Sequence, residues 1–194
     1  VLSERNSRVL MEQLRLQETY SEETGKAIVP YVNYERARNL LQYNLLKALA
    51  DVLGRDSAIQ AYREIVEYLA RELTKREPVT LTFPQLRESM IHHSSTDGGF
   101  TFAIAHLDES MFLAKFDRCV IYESLRDVDD PELGYYATCY TGLIITNHQL
   151  NNLRMRRTQT LFTGSFCDEL RWDPSVHDEP KQPPLKYSRS LIIE

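Results

Sequence analysis

The spacing of apolar residues changes character once along the chain, near residue 77, and that change limits the folds open to it. Before it, Tyr34, Ala37, Leu41, Leu45, Ala48 and Val52 form one stripe, and Ile59, Tyr62, Val66, Leu69 and Leu73 the next. Recurrence at three and four is helical, so two antiparallel helices are predicted, with Gly54 as a stop and Asp56 as an N-cap between them. A less regular helix capped by Ser3 is expected over residues 3 to 19. Then Pro78 and Pro84 interrupt helical runs, and "HHSSTDGG" reads as a loop that holds His92 and His93. Phe100, Phe102, Ile104 and His106 alternate, a turn falls at Asp108 to Ser110, and Phe112, Ala114 and Phe116 resume the alternation, which predicts a β-hairpin.

After the hairpin, "DRCVIYESLRD" reads as a short helix. A longer helix opened by Pro131 carries the stripe Leu133, Tyr136, Tyr140, Leu143, Asn147 and Leu150. Two last strands, Arg154 to Phe162 and Ser165 to Trp172, are predicted to turn at Thr163-Gly164. The proline-rich tail is expected to run extended over the surface, with "LIIE" docking or meeting a neighbouring subunit. The order is α+β: a helical N-terminal layer, residues 1–76, packed with a region 77–194 whose antiparallel sheet has helices on one side. At 194 residues the chain has room for one compact domain rather than two independent ones.

Net charge of −5 opposes a phosphate-tracking surface, so nucleic acid is not an expected partner. No stretch approaches the ~20 apolar residues that span a bilayer, and no apolar run follows a basic start, so a cytoplasmic protein without a membrane partner is expected. The expected partners are a small-molecule substrate and a second copy met through the helices or the tail. HExxH, GxSxG, GxGxxG and P-loop patterns are absent, which removes the common metalloprotease, esterase and nucleotide readings.

The chemistry-bearing residues are the three cysteines, Cys119, Cys139 and Cys167, too widely separated for a zinc ribbon and odd in number for a disulfide framework. Cys119 falls where a strand gives way to a helix, a position whose free amides and dipole favour a thiolate, with Tyr122 and Glu123 on the same helical face. Cys139 lies just off the stripe of the long helix. On the last strand, alternation puts Cys167, Glu169 and Arg171 on one face and Phe166, Asp168, Leu170 and Trp172 on the other. A thiol, a carboxylate and a guanidinium are costly in a buried layer unless paired, so that face is either solvent-facing or a site. His106 continues an apolar strand face and is expected to be half-buried.

"FDRCVIYESLRDVDDPELGYYATCYTGL" followed by "LNNLRMRRTQTLFTGSFCDELRW" resembles the L-2-amino-thiazoline-4-carboxylic acid hydrolase family. The likeness rests on Cys119 with Glu123 after it, "PELG" at Pro131 to Gly134, Cys139, the "RTQTLFTG" segment and the Cys167-Asp168 pair. It implies hydrolytic opening of a small sulfur-containing ring at the carbon between nitrogen and sulfur, giving N-carbamoyl-cysteine without a cofactor. In that chemistry Cys167 would be the nucleophile, Cys119 a second thiol, Glu123 or His106 the proton carrier, and Arg157 or Arg171 the carboxylate clamp, with Tyr122 and Asp168 as further substrate contacts. Two other readings stay open. One is a small-molecule-binding module in which Cys119, Cys139 and Cys167 hold zinc, with His106 or a substrate as fourth ligand. The other is a helical scaffold whose first 76 residues pair with a partner.

Overall fold

A computed structural model of the protein describes residues 19–21, 26–28, 31–76, 82–96, 99–150 and 152–192. The helix expected over residues 3 to 19 lies outside them except for Thr19, which begins a short antiparallel pair, β1 (Thr19–Ser21) with β2 (Lys26–Ile28). Two long helices follow, α1 (Tyr31–Leu53) and α2 (Arg55–Arg76). Gly54 separates them at φ +79, a left-handed conformation that ends α1 with little steric penalty because glycine has no Cβ. Its carbonyl accepts the Ala58 amide, so Gly54, and not Asp56, caps α2. Helix α3 (Phe83–Thr96) runs through "HHSST", where a loop was expected, so His92 and His93 are helical in backbone.

The hairpin is as predicted: β3 (Phe100–Asp108) and β4 (Met111–Cys119). Cys119 leads directly into α4 (Val120–Leu125). Helix α5 (Pro131–Tyr135), capped by the Asp130 carboxylate on the Leu133 amide, passes through a π turn (Tyr136–Tyr140) into α6 (Thr141–Gln149). The final strands are shorter than predicted, β5 (Arg154–Arg156) and β6 (Cys167–Trp172), and the loop 157–166 between them replaces a two-residue turn. The sheet is antiparallel in the order β3-β4-β6-β5. One face, carrying Phe112, Ala114, Phe116, Met155 and Cys167, packs under Phe83 and Leu86 of α3 and Leu143 of α6.

The C-terminal segment meets the opposite face of the sheet. Helix α7 (Leu185–Ser190) lies against β4, and Leu191 joins Leu113, Leu170 and Trp172 in a separate cluster. Lys115 Nζ donates to the Leu191 carbonyl at 3.0 Å, which fixes the tail there.

Helix α1 departs furthest from its predicted stripe. Tyr34, Leu41, Leu45 and Val52 are exposed, while Leu40, Tyr43 and Leu46 are buried together with Asn33, Glu35, Asn39 and Asn44. The cause is the acidic connection after α4, which α1 holds through polar contacts. Arg36 makes a two-pronged ion pair with Asp127 at 2.9 and 3.1 Å and donates to the Ser124 carbonyl. Asn39 donates to Ser124 Oγ at 2.9 Å, and Tyr43 and Lys47 both bond Asp129. The inward face is chosen by these partners, so hydrophobic periodicity alone points the wrong way.

Candidate functional site

On β6 the two-residue period sends Cys167, Glu169 and Arg171 toward α6, as expected, and sends Asp168 to the other face. Their neighbours across the register on β4 are Phe116, Ala114 and Phe112. The small Ala114 side chain leaves room beside Glu169. A third polar group arrives from the start of the loop after β5: Arg157 reaches back under the sheet face. Its backbone is held from beneath by Asp168, fully buried, which accepts the amides of Thr158 and Gln159 at 2.8 and 2.7 Å, the Thr158 hydroxyl at 2.5 Å and Gln182 Nε2 at 2.9 Å. Asp168 therefore positions Arg157 and does not face the cavity, a correction to its assignment as a substrate contact.

Glu169 lies between two guanidiniums. Its Oε1 accepts Arg157 Nε at 2.7 Å and Nη2 at 2.5 Å, and its Oε2 accepts Arg171 Nε at 3.0 Å and Nη2 at 2.5 Å. Burial pushes its carboxyl up, but Arg157 and Arg171 outweigh burial and hold it at about 2. One carboxylate between two guanidiniums leaves one net positive charge. Arg171 Nη1 has no hydrogen-bond partner among the described residues, so that charge carries a free donor.

The π turn supplies the second wall. An extra residue in a helical turn frees carbonyls from the backbone ladder, and side chains take them up here. Thr141 Oγ1 donates to the carbonyls of Tyr136 and Ala137, Tyr62 OH to that of Ala137, and Arg157 Nη1 to that of Cys139 at 2.8 Å. Arg157 thus ties the irregular turn to the ion triad and sets Cys139 beside it.

The result is a cavity of about 240 Å³ lined by all three cysteines, Arg157, Glu169, Arg171, Phe100, Phe116, Ile121, Thr138 and Gly142. Burial pushes the Cys119 thiol up to about 12, although the amides of Tyr122 and Ile121 oppose it without closing a capping hydrogen bond. The helix-start position that favoured a thiolate is overridden by the loss of water. Burial raises Cys139 too, against the pull of Arg157, and raises Cys167 well above the ordinary thiol range, with Glu169 adding to burial and Arg157 opposing.

Of the sequence-derived site residues, Cys167, Cys119, Arg157 and Arg171 meet in this cavity, and Glu123, His106, Tyr122 and Asp168 do not line it. Glu123 is held in a two-pronged pair with Arg118 at 2.7 and 2.9 Å. His106 is exposed on β3, not half-buried. The Tyr122 ring packs edge-on against Phe162 at 5.2 Å. Glu169, Cys139, Thr138 and Gly142 were not among the catalytic or substrate-binding residues. Glu169 carried a signal for a site through its alternation with Cys167 and Arg171, and Cys139 through the family likeness and as a ligand in the zinc reading; Thr138 and Gly142 carried none. Among the described residues no three His, Cys, Asp or Glu side chains group in a way that could hold a metal ion, so Cys119, Cys139 and Cys167 share a cavity without forming the zinc ligand set of the alternative reading.

A family model described as L-2-amino-thiazoline-4-carboxylic acid hydrolase matches residues 33–172, which runs from the start of α1 to the end of β6 and spans every residue of the cavity. The chain belongs to this family. The match begins with the buried Asn33 and ends at Trp172, so the family unit comprises the helices, the sheet and the triad, while the tail over the second sheet face falls outside it. No curated protein matches. Among solved structures, the phenol-responsive sensory domain of the transcription activator PoxR with phenol is similar at 12% identity and TM-score 0.40, over 89% of this chain and 92% of that one. A likeness that loose carries no functional argument.

Proposed function

We propose that the protein is a hydrolase that opens a small thiazoline-like ring bearing a carboxylate. The observation that carries this reading is the joining of three thiols and a net-positive Arg157–Glu169–Arg171 triad in one cavity of about 240 Å³. Arg171, with Nη1 free, clamps the substrate carboxylate. Arg157 stays on Glu169 and the Cys139 carbonyl and contributes field rather than contact. The apolar wall of Phe100, Phe116 and Ile121 receives the ring carbons and sulfur.

Glu169, held at about 2, is no base near neutral pH, and burial keeps the thiols protonated. The proton acceptor is then the substrate's own amidine nitrogen. The Cys167 proton passes to that nitrogen, which makes the amidine carbon more electrophilic, and Sγ forms a bond to it. The ring carbon–sulfur bond breaks with its electron pair on the ring sulfur, which takes a proton from the exocyclic amino nitrogen and becomes a thiol, leaving a neutral isothiourea on Cys167. One water then adds to the same carbon, the bond to Cys167 breaks, its thiol is restored, and the N-carbamoyl product is released. Atoms balance as substrate plus one water.

Incubation of the protein with L-2-amino-thiazoline-4-carboxylic acid, with new thiol followed colorimetrically, tests this reading. Thiol release is expected, and Cys167→Ser is expected to lower its rate by at least about a hundredfold. No release, or release unchanged in Cys167→Ser, contradicts it.

A further inference from the structure

We infer that the outward face of α1 and the adjoining part of α2 form the interface of a homodimer. Four of the seven residues that α1 buries are polar, while its exposed side carries Tyr34, Leu41, Leu45 and Val52 at 53% exposure or more. A helix that turns leucines outward and asparagines inward has its apolar stripe set for another surface. Tyr34, Leu41 and Ala48 stand seven residues apart, and Leu45 and Val52 follow the latter two at four, which is the spacing of a coiled-coil seam and specifies a second helix as the occupant. On α2, Tyr68 and Leu69 are exposed with Ile65 and Leu73 on either side. No described residue covers either set.

The face suits a second copy of this chain. The charged residues on its stripes are already paired, Arg38 with Glu35 at 2.6 Å and Glu72 with Lys75 at 2.6 Å, and Arg38 lies 6.0 Å over the Tyr34 ring, so two copies meet with their charges locally balanced. Eight large side chains at roughly 100 Å² each offer on the order of 800 Å² per copy, the share of one partner in a standard interface. No residue of either helix lines the cavity, so the inference does not depend on the proposed reaction.

Sedimentation equilibrium of the full chain at concentrations up to about 100 μM tests it. The expected mass is twice that of one chain, and Leu41→Glu with Leu45→Glu is expected to halve it while the far-ultraviolet circular dichroism stays unchanged. Should that variant fold poorly, oxidation of Leu45→Cys is expected to give a covalent dimer and oxidation of Gln60→Cys, exposed but off the stripe, is not. A single-chain mass at every concentration, a doubled mass that survives the double substitution, or equal cross-linking at both positions overturns the inference.

Discussion

Glu169 has 6% of its side chain exposed and a guanidinium on each side, so its removal leaves two buried positive charges facing each other. Glu169→Gln is expected to destabilise the fold by about 3–5 kcal/mol, the range for breaking a buried ion pair from one side, as read by urea unfolding. The same group sets an acid limit. Its folded value of about 2 lies below its ordinary 4.5, so the folded state favours the charged form. The stabilisation is complete above 4.5 and is lost as pH falls from there through about 2, on the order of 3 kcal/mol in all. The thiols set the opposite limit. With Cys119 raised from 9.0 to about 12, the folded state holds its proton longer than the unfolded chain, so stability falls as pH rises from 9 toward 12. In the resting protein near pH 8, iodoacetamide is expected to modify the three cysteines far more slowly than in the urea-unfolded chain, as counted by mass spectrometry. Fast labelling of any one of them in the folded protein contradicts the assignment of a protonated resting site.

At the scale of elements, the loop 157–166 and the π turn place the two groups that strands alone do not. Asp168 organises that loop by accepting two amides, a hydroxyl and an amide side chain. Asp168→Asn turns one acceptor into a donor against those partners. A loss of about 2 kcal/mol in stability and a weakened hold on Arg157 are expected, seen as lower affinity for a carboxylate ligand as well as an earlier unfolding transition. These elements also mark where the sequence is legible. The β-hairpin, the helix opened by Pro131 and the shared face of Cys167, Glu169 and Arg171 follow from periods of two and of 3.6, which are local. The π turn does not, because two of the donors that stabilise it, Tyr62 and Arg157, come from distant parts of the chain, and only Thr141 is local. The inward face of α1 is hidden for the same reason: Arg36, Asn39 and Tyr43 are chosen by partners more than eighty residues away. Glu123 and His106 were attractive as proton carriers by type and spacing, but an ion pair with Arg118 takes up the first and the exposed strand end places the second outside.

Across the whole molecule, the cavity lies where the α5–α6 helix crosses the sheet, closed by packing on both sheet faces and by α1 and α2 over the helix. Gly142 lines that cavity at an exposed position, and a Cβ built there meets nothing within 4 Å. Gly142→Leu is expected to fold with unchanged stability while its side chain occupies the cavity and weakens ligand binding at least about tenfold, the discrimination one or two methylenes give in a closed pocket. Calorimetry on thiazolidine-4-carboxylate, which lacks the cleavable amidine carbon, checks this. The same ligand provides the most direct test of the central claim, that the free donor of Arg171 holds a carboxylate beside the thiols. Titration of wild type and Arg171→Gln with the acid and with its neutral carboxamide is expected to show the acid favoured at least about tenfold by wild type and the preference abolished in the variant. Equal binding of acid and carboxamide to wild type, or a preference that survives in Arg171→Gln, contradicts it.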